Sequence, residues 1–250
     1  MVSKRFPIRD PRTVSRDIPG VLDILFPRLT GALVGSLNKR CQYFPDLQPI
    51  SESEIEKTRI HKAMLFEISV AYAEIHLKGT AEPKWEDAIS IAAKRQRRHY
   101  DARIPDKLNR TDIAIADHAA TNLICMLEWL QSETPESSLI CEPRIPGMGW
   151  IASGNGDFSL GSRLIEVKHT NRNFSSRDFK QVLMYWLLNY SEAIEKNLPA
   201  WTHITLLNPR KNSLLNLEVD ALLISASSNS NRVELSEQLR AVVTSNPDWN

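Results

Sequence analysis

Residues 154–168 limit the fold more than any other part of the chain, because their apolar residues alternate on both sides of Gly161-Ser162. Alternation with a period of two is typical of β-strands, and a two-residue turn that begins with glycine is typical of a β-hairpin. The predicted pairs are Leu160 with Arg163, Ser159 with Leu164, Phe158 with Ile165, and Asp157 with Glu166. The segment therefore predicts a hairpin with one apolar face and one polar face.

The polar face of this hairpin carries Asp157, Glu166 and Lys168. In the predicted register the two carboxylates lie opposite each other, with Cβ atoms roughly 4.5–5.5 Å apart. Like charges at this separation are destabilising, and a bound divalent cation such as Mg²⁺ would remove the repulsion. Lys168 would contact a metal-bound water or a phosphate oxygen. The face indicates a site for metal-assisted phosphodiester hydrolysis; the alternative is a surface hairpin with a solvated Glu166–Lys168 pair.

At these residues the sequence resembles the PD-(D/E)xK nuclease superfamily, which has the restriction-endonuclease-like fold. Glu166-Val167-Lys168 matches the (D/E)xK half of the motif, and Asp157 matches its upstream acid. Gly156 stands where the literal motif has proline. The resemblance implies that Asp157 and Glu166 bind Mg²⁺, or Mn²⁺ in its place, together with the backbone carbonyl of Val167. It also implies that Lys168 positions or activates the attacking water.

The predicted elements of residues 111–207 follow the core order of this superfamily, which is helix, three strands, helix, strand. Apolar periodicity predicts helices over 111–131 and 176–196, and strands near 138–145, 151–160, 163–169, 203–207 and 217–225. Gln181, near the start of helix 176–196, matches a glutamine that many members carry; an ordinary exposed glutamine is the alternative. We therefore expect an α/β fold, with a mixed sheet flanked by helices and a nuclease core with a C-terminal extension over residues 111–250.

Residues 1–110 differ from the rest of the chain in charge and in predicted structure. They carry 20 Lys and Arg against 14 Asp and Glu, whereas residues 111–250 carry 11 against 16. The net charge of +1 therefore conceals a basic half and an acidic half. Helices are predicted over 51–79 and 84–100. Because such asymmetry is typical of chains with a polyanionic partner, we expect this mostly helical region to bind nucleic acid or a partner protein.

Two groups of basic residues are candidates for contacts with phosphate groups. One lies at the C-terminal end of helix 84–100, and the other flanks the start of helix 176–196. They are Lys94, Arg95, Arg97 and Arg98 in the first group, and Arg172 and Arg177 in the second. Phosphate contact is supported by four arginines near the N-terminus, Arg5, Arg9, Arg12 and Arg16. Cations also stabilise the C-terminal ends of helices, so a solvated helix end is the alternative for the first group. A solvated side chain is the alternative for Arg172 and for Arg177. Asp117 is a candidate third metal ligand, and Glu142 a weaker one, although Asp117 would also serve the helix dipole.

Composition and motifs exclude several other classes of protein. Three distant cysteines do not make a disulfide scaffold and are typical of a reducing compartment. No apolar run approaches the roughly 18 residues of a membrane-spanning helix, and the first residues lack the apolar segment of a secretory signal. The sequence contains no G-x-x-x-x-G-K-[ST], G-x-S-x-G, HExxH or paired CxxC motif. We therefore expect a cytoplasmic protein with no membrane partner.

These observations predict a Mg²⁺-dependent nuclease, with DNA as the expected substrate. We expect it to act as an endonuclease in restriction, phage defence, transposition or repair. The resemblance also implies an oligomer or a complex, with a helicase or ATPase as partner. Two alternatives stay open. One is a ribonuclease that uses the same site, and the other is a catalytically silent nuclease-fold subunit that binds nucleic acid or scaffolds a helicase or ATPase complex.

Overall fold

The computed structural model describes residues 9–18, 20–79, 82–96 and 104–245, which form helices and strands in a mixed α/β arrangement. The helices are α1 (Pro11–Asp17), α2 (Val21–Leu25), α3 (Gly31–Asn38), α4 (Glu52–Ile55), α5 (Lys62–Lys78), α6 (Trp85–Gln96), α7 (Arg110–Ser132), α8 (Ser176–Lys196), α9 (Val219–Ala226) and α10 (Arg232–Ser245). The strands are β1 (Gln42–Tyr43), β2 (Leu139–Cys141), β3 (Arg144–Ile145), β4 (Gly154–Asn155), β5 (Phe158–Leu160), β6 (Arg163–Val167), β7 (His203–Asn208) and β8 (Ser213–Glu218).

Six of the strands form one mixed sheet in the order β1-β8-β7-β6-β5-β2, while β3 and β4 form a separate two-stranded sheet. Strands β6 and β7 are parallel, and every other neighbouring pair in the large sheet is antiparallel. A parallel pair needs a long crossover connection, which α8 supplies between β6 and β7. The predicted α/β class, with a mixed sheet flanked by helices, is therefore confirmed.

The hairpin predicted around Gly161-Ser162 is confirmed in its register over three pairs. Leu160 pairs with Arg163, and the next two pairs follow as predicted. The fourth predicted pair, Asp157 with Glu166, is not part of the strand pairing, because β5 begins at Phe158. Gly161 has a φ of 54°, and a Cβ atom added to it would lie 2.6 Å from the hydroxyl oxygen of Ser137. Glycine therefore avoids both a strained backbone and a steric clash at the first turn position.

The two faces of the hairpin pack against different helices. The apolar face packs against α7, where Leu123 and Leu127 are fully buried, and its members are Phe158, Leu160, Ile165 and Val167. Leu164 lies on the opposite face and packs in a second cluster with Trp186 of α8. The sheet is therefore enclosed between α7 and α8, while α5 packs against the N-terminal half of α7 and α6 packs against α5.

The N-terminal segment contributes to the same core as the C-terminal half. Helices α1, α2 and α3 pack in one cluster with α8, α9 and α10, through buried residues such as Val14 and Leu22. Strand β1 extends the large sheet beside β8. Packing thus crosses residue 110, since the region before it supplies three helices to the core around α8 and one edge strand to the large sheet.

Two predicted strands near the hairpin are shorter than expected. The strand predicted over 151–160 is divided into β4 and β5, and β4 pairs with β3 outside the large sheet. The strand predicted over 138–145 is divided at Glu142, whose φ of 54° interrupts an extended chain. Both interruptions face each other, since the Glu142 N–H donates to the Asp157 carbonyl and the Gly156 N–H donates to the Pro143 carbonyl.

Two further boundaries were predicted incorrectly. The helix predicted over 51–79 is interrupted between α4 and α5, where the Thr58 hydroxyl accepts a hydrogen bond from the Ile60 N–H and donates one to Asp112 of α7. The strand predicted over 217–225 ends at Glu218, and α9 follows. Buried residues recur along α9 at helical spacing, and a short apolar run alone does not distinguish a helix from a strand.

Within the described part of the chain, no helix combines the length and the apolar character that crossing a membrane requires.

Candidate active site

Strand β6 and helix α8 bring three of the predicted site residues into direct contact. The Lys168 ammonium group donates to Glu166 Oε1 at 2.8 Å and to Gln181 Oε1 at 3.0 Å. The Gln181 amide group donates to the same Glu166 oxygen at 2.5 Å. Asp157 joins this group through β6, because its Oδ2 accepts a hydrogen bond of 2.7 Å from the Val167 N–H. The four side chains predicted to be catalytic therefore form one cluster.

Local structure explains how these side chains meet. Because β6 alternates, Ile165 and Val167 pack toward α7 while Glu166 lies on the face toward α8. The start of α8 is held by a capping box, in which the Ser175 N–H and hydroxyl both donate to Asp178. This cap holds the first turn of the helix, and Gln181 lies just beyond it, next to Glu166.

Two members of the cluster are buried, whereas Asp157 and Lys168 are partly exposed. Glu166 is 3% exposed and Gln181 is 1% exposed, so the glutamine is not an ordinary surface side chain. Glu166 Oε2 is buried and has no hydrogen-bond partner among the described residues. A buried carboxylate oxygen without a partner costs free energy, and a bound cation is one group that would satisfy it.

The charges of the cluster perturb one another. Burial, followed by the negative charge of Glu166, raises the pKa of Asp157 well above its ordinary value, although Lys168 and the Val167 N–H oppose this shift. Tyr185 accepts a hydrogen bond of 3.0 Å from Gln181, and burial together with the same two acids raises the pKa of its hydroxyl. Titratable groups that perturb each other in a buried cluster are typical of functional sites.

Two residues near the cluster, Glu67 of α5 and Tyr185 of α8, were not predicted from the sequence. A third, Arg12 of α1, was predicted only as one of several N-terminal arginines that support phosphate contact, and not as part of this site. Desolvation lowers the pKa of Arg12, but nearby negative charges, led by that of Glu166, raise it further, so the pKa lies above its ordinary value. The negative charge of Glu67 raises the pKa values of both Arg12 and Asp157. Tyr185 could have been identified, since it follows Gln181 by one helical turn. No local pattern indicates Glu67, or that Arg12 lies beside the acids, because the packing of α1 and α5 brings them to the site.

The structure does not bring the candidate third ligands into the cluster. Asp117 is exposed on α7, where its charge acts with burial to raise the pKa of Tyr72. Glu142 forms an ion pair with Arg95, at 3.1 Å between Glu142 Oε2 and the guanidinium. Neither acid has a contact with Asp157 or Glu166 side chains within the described ranges.

The predicted phosphate contacts have different surroundings. The Arg95 guanidinium is bound by three carboxylates, those of Glu67, Glu74 and Glu142, and the side chain is only 20% exposed. Arg172, Arg177 and Lys94 are exposed, and their charged groups form no ion pair with any described residue. Arg5, Arg97 and Arg98 lie outside the described residues.

The oxygen atoms of the cluster are suitable for a hard divalent cation. In the described part of the chain, no three His, Cys, Asp or Glu side chains are grouped as a metal site. Two carboxylates and the Val167 carbonyl nevertheless agree with the donors that Mg²⁺ takes, since this ion commonly keeps several water or phosphate ligands. The unpartnered Glu166 Oε2 and the raised pKa of Asp157 are both consistent with a missing positive charge. The residues present therefore fit such an ion.

Comparison with known proteins provides no relative for this chain: no protein-family model, curated protein or solved structure matches it.

Proposed function

We propose that this protein is a Mg²⁺-dependent nuclease of the PD-(D/E)xK type, with a restriction-endonuclease-like core formed by α7, β2, β5, β6, α8 and β7. The observation that carries the proposal is the buried cluster in which Lys168 joins Glu166 to Gln181 while Glu166 Oε2 has no partner among the described residues. A purely structural ion pair would not need Asp157, whose charge opposes that of Glu166. A divalent cation between the two acids would compensate both charges.

Each side chain has a distinct role in this proposal. Asp157 and Glu166, with the Val167 carbonyl, would hold the cation, which when bound would polarise the phosphate and lower the pKa of a water molecule. Lys168 is available to donate a hydrogen bond to the attacking water or to the phosphate oxygen on which charge develops. Gln181 binds both Lys168 and Glu166, so it holds their charged groups in one orientation.

The proposed substrate is nucleic acid, with DNA as the first choice. A nucleic-acid substrate is supported by Arg172, Arg177 and Lys94, since they are exposed cations that no described carboxylate neutralises. Affinity from such contacts is expected to fall as the salt concentration rises. Arg95 is better explained as a structural residue, because three carboxylates bind it. An oligomer or a helicase or ATPase partner stays a prediction from the resemblance alone.

Cleavage assays with Lys168→Ala test the proposal directly. The protein is incubated with plasmid DNA and with RNA, in Mg²⁺ and in Mn²⁺, and products are followed on gels. We expect the wild type to cleave DNA and Lys168→Ala to be about 100-fold slower or worse, because a donor to developing charge is lost. Lys107→Ala is the matched control, since Lys107 is an exposed lysine before α7.

Each alternative has its own outcome in this assay. Cleavage of RNA without DNA would identify a ribonuclease that uses the same residues. Binding of DNA with no cleavage of either substrate, by wild type and variant alike, would contradict the enzyme and favour the silent subunit.

A further inference from the structure

Helix α1 is held beside the carboxylate cluster by contacts that do not involve its arginine side chains. The Arg9 N–H donates to the Trp150 carbonyl at 3.2 Å, and the Arg9 carbonyl accepts from the Ala152 N–H at 2.8 Å. Asp10 caps the helix by accepting a hydrogen bond of 2.9 Å from the Thr13 N–H. Val14 is fully buried in the hydrophobic core around α8. The position of α1 is thus set by its backbone and its apolar packing.

One face of α1 is directed at the cluster. Arg12 and Arg16 are one helical turn apart and so lie on the same face. The Arg16 guanidinium donates at 3.5 Å to Gln181 Oε1, the same oxygen that accepts from Lys168. Arg12 lies within the electric field of the carboxylates as well, since the negative charges of Glu166 and Asp157 raise the pKa of its guanidinium.

Despite this field, no described residue forms an ion pair or a hydrogen bond with the Arg12 guanidinium. An arginine that served only as the counterion of the acids would make direct contacts of about 2.7–2.9 Å with them. Arg12 is solvent-exposed as a residue, whereas its guanidinium is partly desolvated by the groups around it. The charged end therefore lies at the edge of the cluster, where a ligand can reach it. Its five N–H donors form a planar fork that matches two oxygens of a phosphate group.

We propose that Arg12 is a further catalytic residue, which binds a non-bridging oxygen of the phosphate that is cleaved. This inference rests on the proposed function and assigns part of the substrate site to the N-terminal helix. In the reaction a water oxygen bonds to phosphorus and the bond from phosphorus to the leaving ester oxygen breaks. The water gives up one proton, the leaving oxygen takes up one, and Arg12 stays protonated while it stabilises the charge on phosphate. Arg16 is a positioning residue, which acts through Gln181.

Steady-state cleavage by Arg12→Ala and Arg12→Lys tests this assignment. At saturating Mg²⁺ we expect Arg12→Ala to lower kcat by about 100-fold. Arg12→Lys should recover part of the rate, because it keeps the charge but loses the fork. Mn²⁺ affinity, measured by calorimetry, should stay at the wild-type value or increase. Arg28→Ala, at an exposed arginine between α2 and α3, is the control and should cleave as the wild type does.

A second measurement does not depend on cleavage. In Mg²⁺, inorganic phosphate should raise the melting temperature of the wild type and of Arg28→Ala but not that of Arg12→Ala. If no protein cleaves nucleic acid and this phosphate effect is nevertheless lost only in Arg12→Ala, the nuclease is contradicted while the anion site stands.

Three results would overturn the role of Arg12. They are wild-type kcat in Arg12→Ala at saturating metal, an equal phosphate effect in that variant, and no phosphate effect in the wild type. If Arg12→Ala does not fold, Arg12→Gln, which keeps a long polar side chain, is measured by the same criteria.

Discussion

Asp157 and Glu166 bring two negative charges to the cluster, whereas the single ammonium group bonded there, that of Lys168, contacts Glu166. Asp157 accepts a hydrogen bond from the Val167 N–H, which compensates its charge only in part. Burial and the charge of Glu166 therefore raise the pKa of Asp157. Because this pKa is higher in the folded than in the unfolded protein, stability is greatest when Asp157 is protonated. It decreases as the pH rises through the raised pKa.

The substitution Asp157→Asn should stabilise the metal-free protein. Asparagine can still accept from the Val167 N–H, but it removes the negative charge beside Glu166. In EDTA at mildly alkaline pH we expect the free energy of unfolding to increase, because the neutral amide lacks the charge that burial and Glu166 disfavour. The gain should shrink toward acid pH, where the wild-type carboxyl group is also neutral. Urea denaturation at several pH values measures it.

The same variant tests the metal site. Mg²⁺ should stabilise the wild type and not Asp157→Asn, because a ligand that binds only the folded state raises its stability. Asp106→Asn, at an exposed aspartate before α7, is the control and should respond to pH and Mg²⁺ as the wild type does. An equal Mg²⁺ effect in Asp157→Asn would argue against this carboxylate as a ligand.

Among the secondary-structure elements, the β5–β6 hairpin has the largest effect on the site. A shift of its register by one residue would move every side chain to the other face, and Glu166 would then lie toward α7. Two things hold the register. The apolar face packs under α7, and the turn at Gly161 takes a backbone conformation that other residues adopt at a cost.

We expect Gly161→Ala to lower the free energy of unfolding by about 1–2 kcal/mol, because φ is positive and the added Cβ meets Ser137. Gly35→Ala in α3 is the matched control. No described atom lies within 4 Å of a Cβ at that position, and alanine favours the helix by roughly 0.5–1 kcal/mol. Urea denaturation of both variants should thus give changes of opposite sign. Equal stability of Gly161→Ala and the wild type would show that the turn does not hold the hairpin.

Across the whole molecule, Arg95 links the helical region to the strands of the site. From α6 it binds Glu67 and Glu74 of α5, and also Glu142, which separates β2 from β3. Glu74 is 2% exposed, and burial raises its pKa although Arg95 opposes the shift. The negative charge of Glu67 also raises the pKa of Asp157. The ion-pair network therefore connects the packing of α5 and α6 with the charge state of the site.

Replacing Arg95 with methionine should cost about 3–5 kcal/mol of unfolding free energy, because Glu74 would stay buried without its partner. The neighbouring exposed residue provides the control, and Lys94→Met should change stability by no more than about 0.5 kcal/mol. Adding Glu74→Gln to Arg95→Met should recover part of the loss, since the unpaired charge is then removed. Urea denaturation that gives Arg95→Met and Lys94→Met the same stability would contradict this role of the network.

The accuracy of the sequence predictions depended on how local the interactions are. The hairpin register and the bounds of α8 were predicted well, because strand alternation, a glycine turn and a capping box act within a few residues. The division of strand 151–160 was missed, since it depends on hydrogen bonds to residues 142 and 143 from another strand segment. The apolar run at 217–225 was predicted as a strand, but most of it forms helix α9. Its pattern fits a short helix as well as a strand, so the sequence alone does not decide between them.

The sequence by itself determined the hairpin, the shared polar face of Glu166 and Lys168, and the helix that carries Gln181, because each follows from side-chain periodicity over neighbouring residues. Only the tertiary structure decided that Gln181 is buried against Glu166, that Arg95 is held by carboxylates, and that Arg12 faces the cluster. These contacts join elements that are distant along the chain. They depend on how whole helices pack, and no pattern in a short stretch of sequence records that packing.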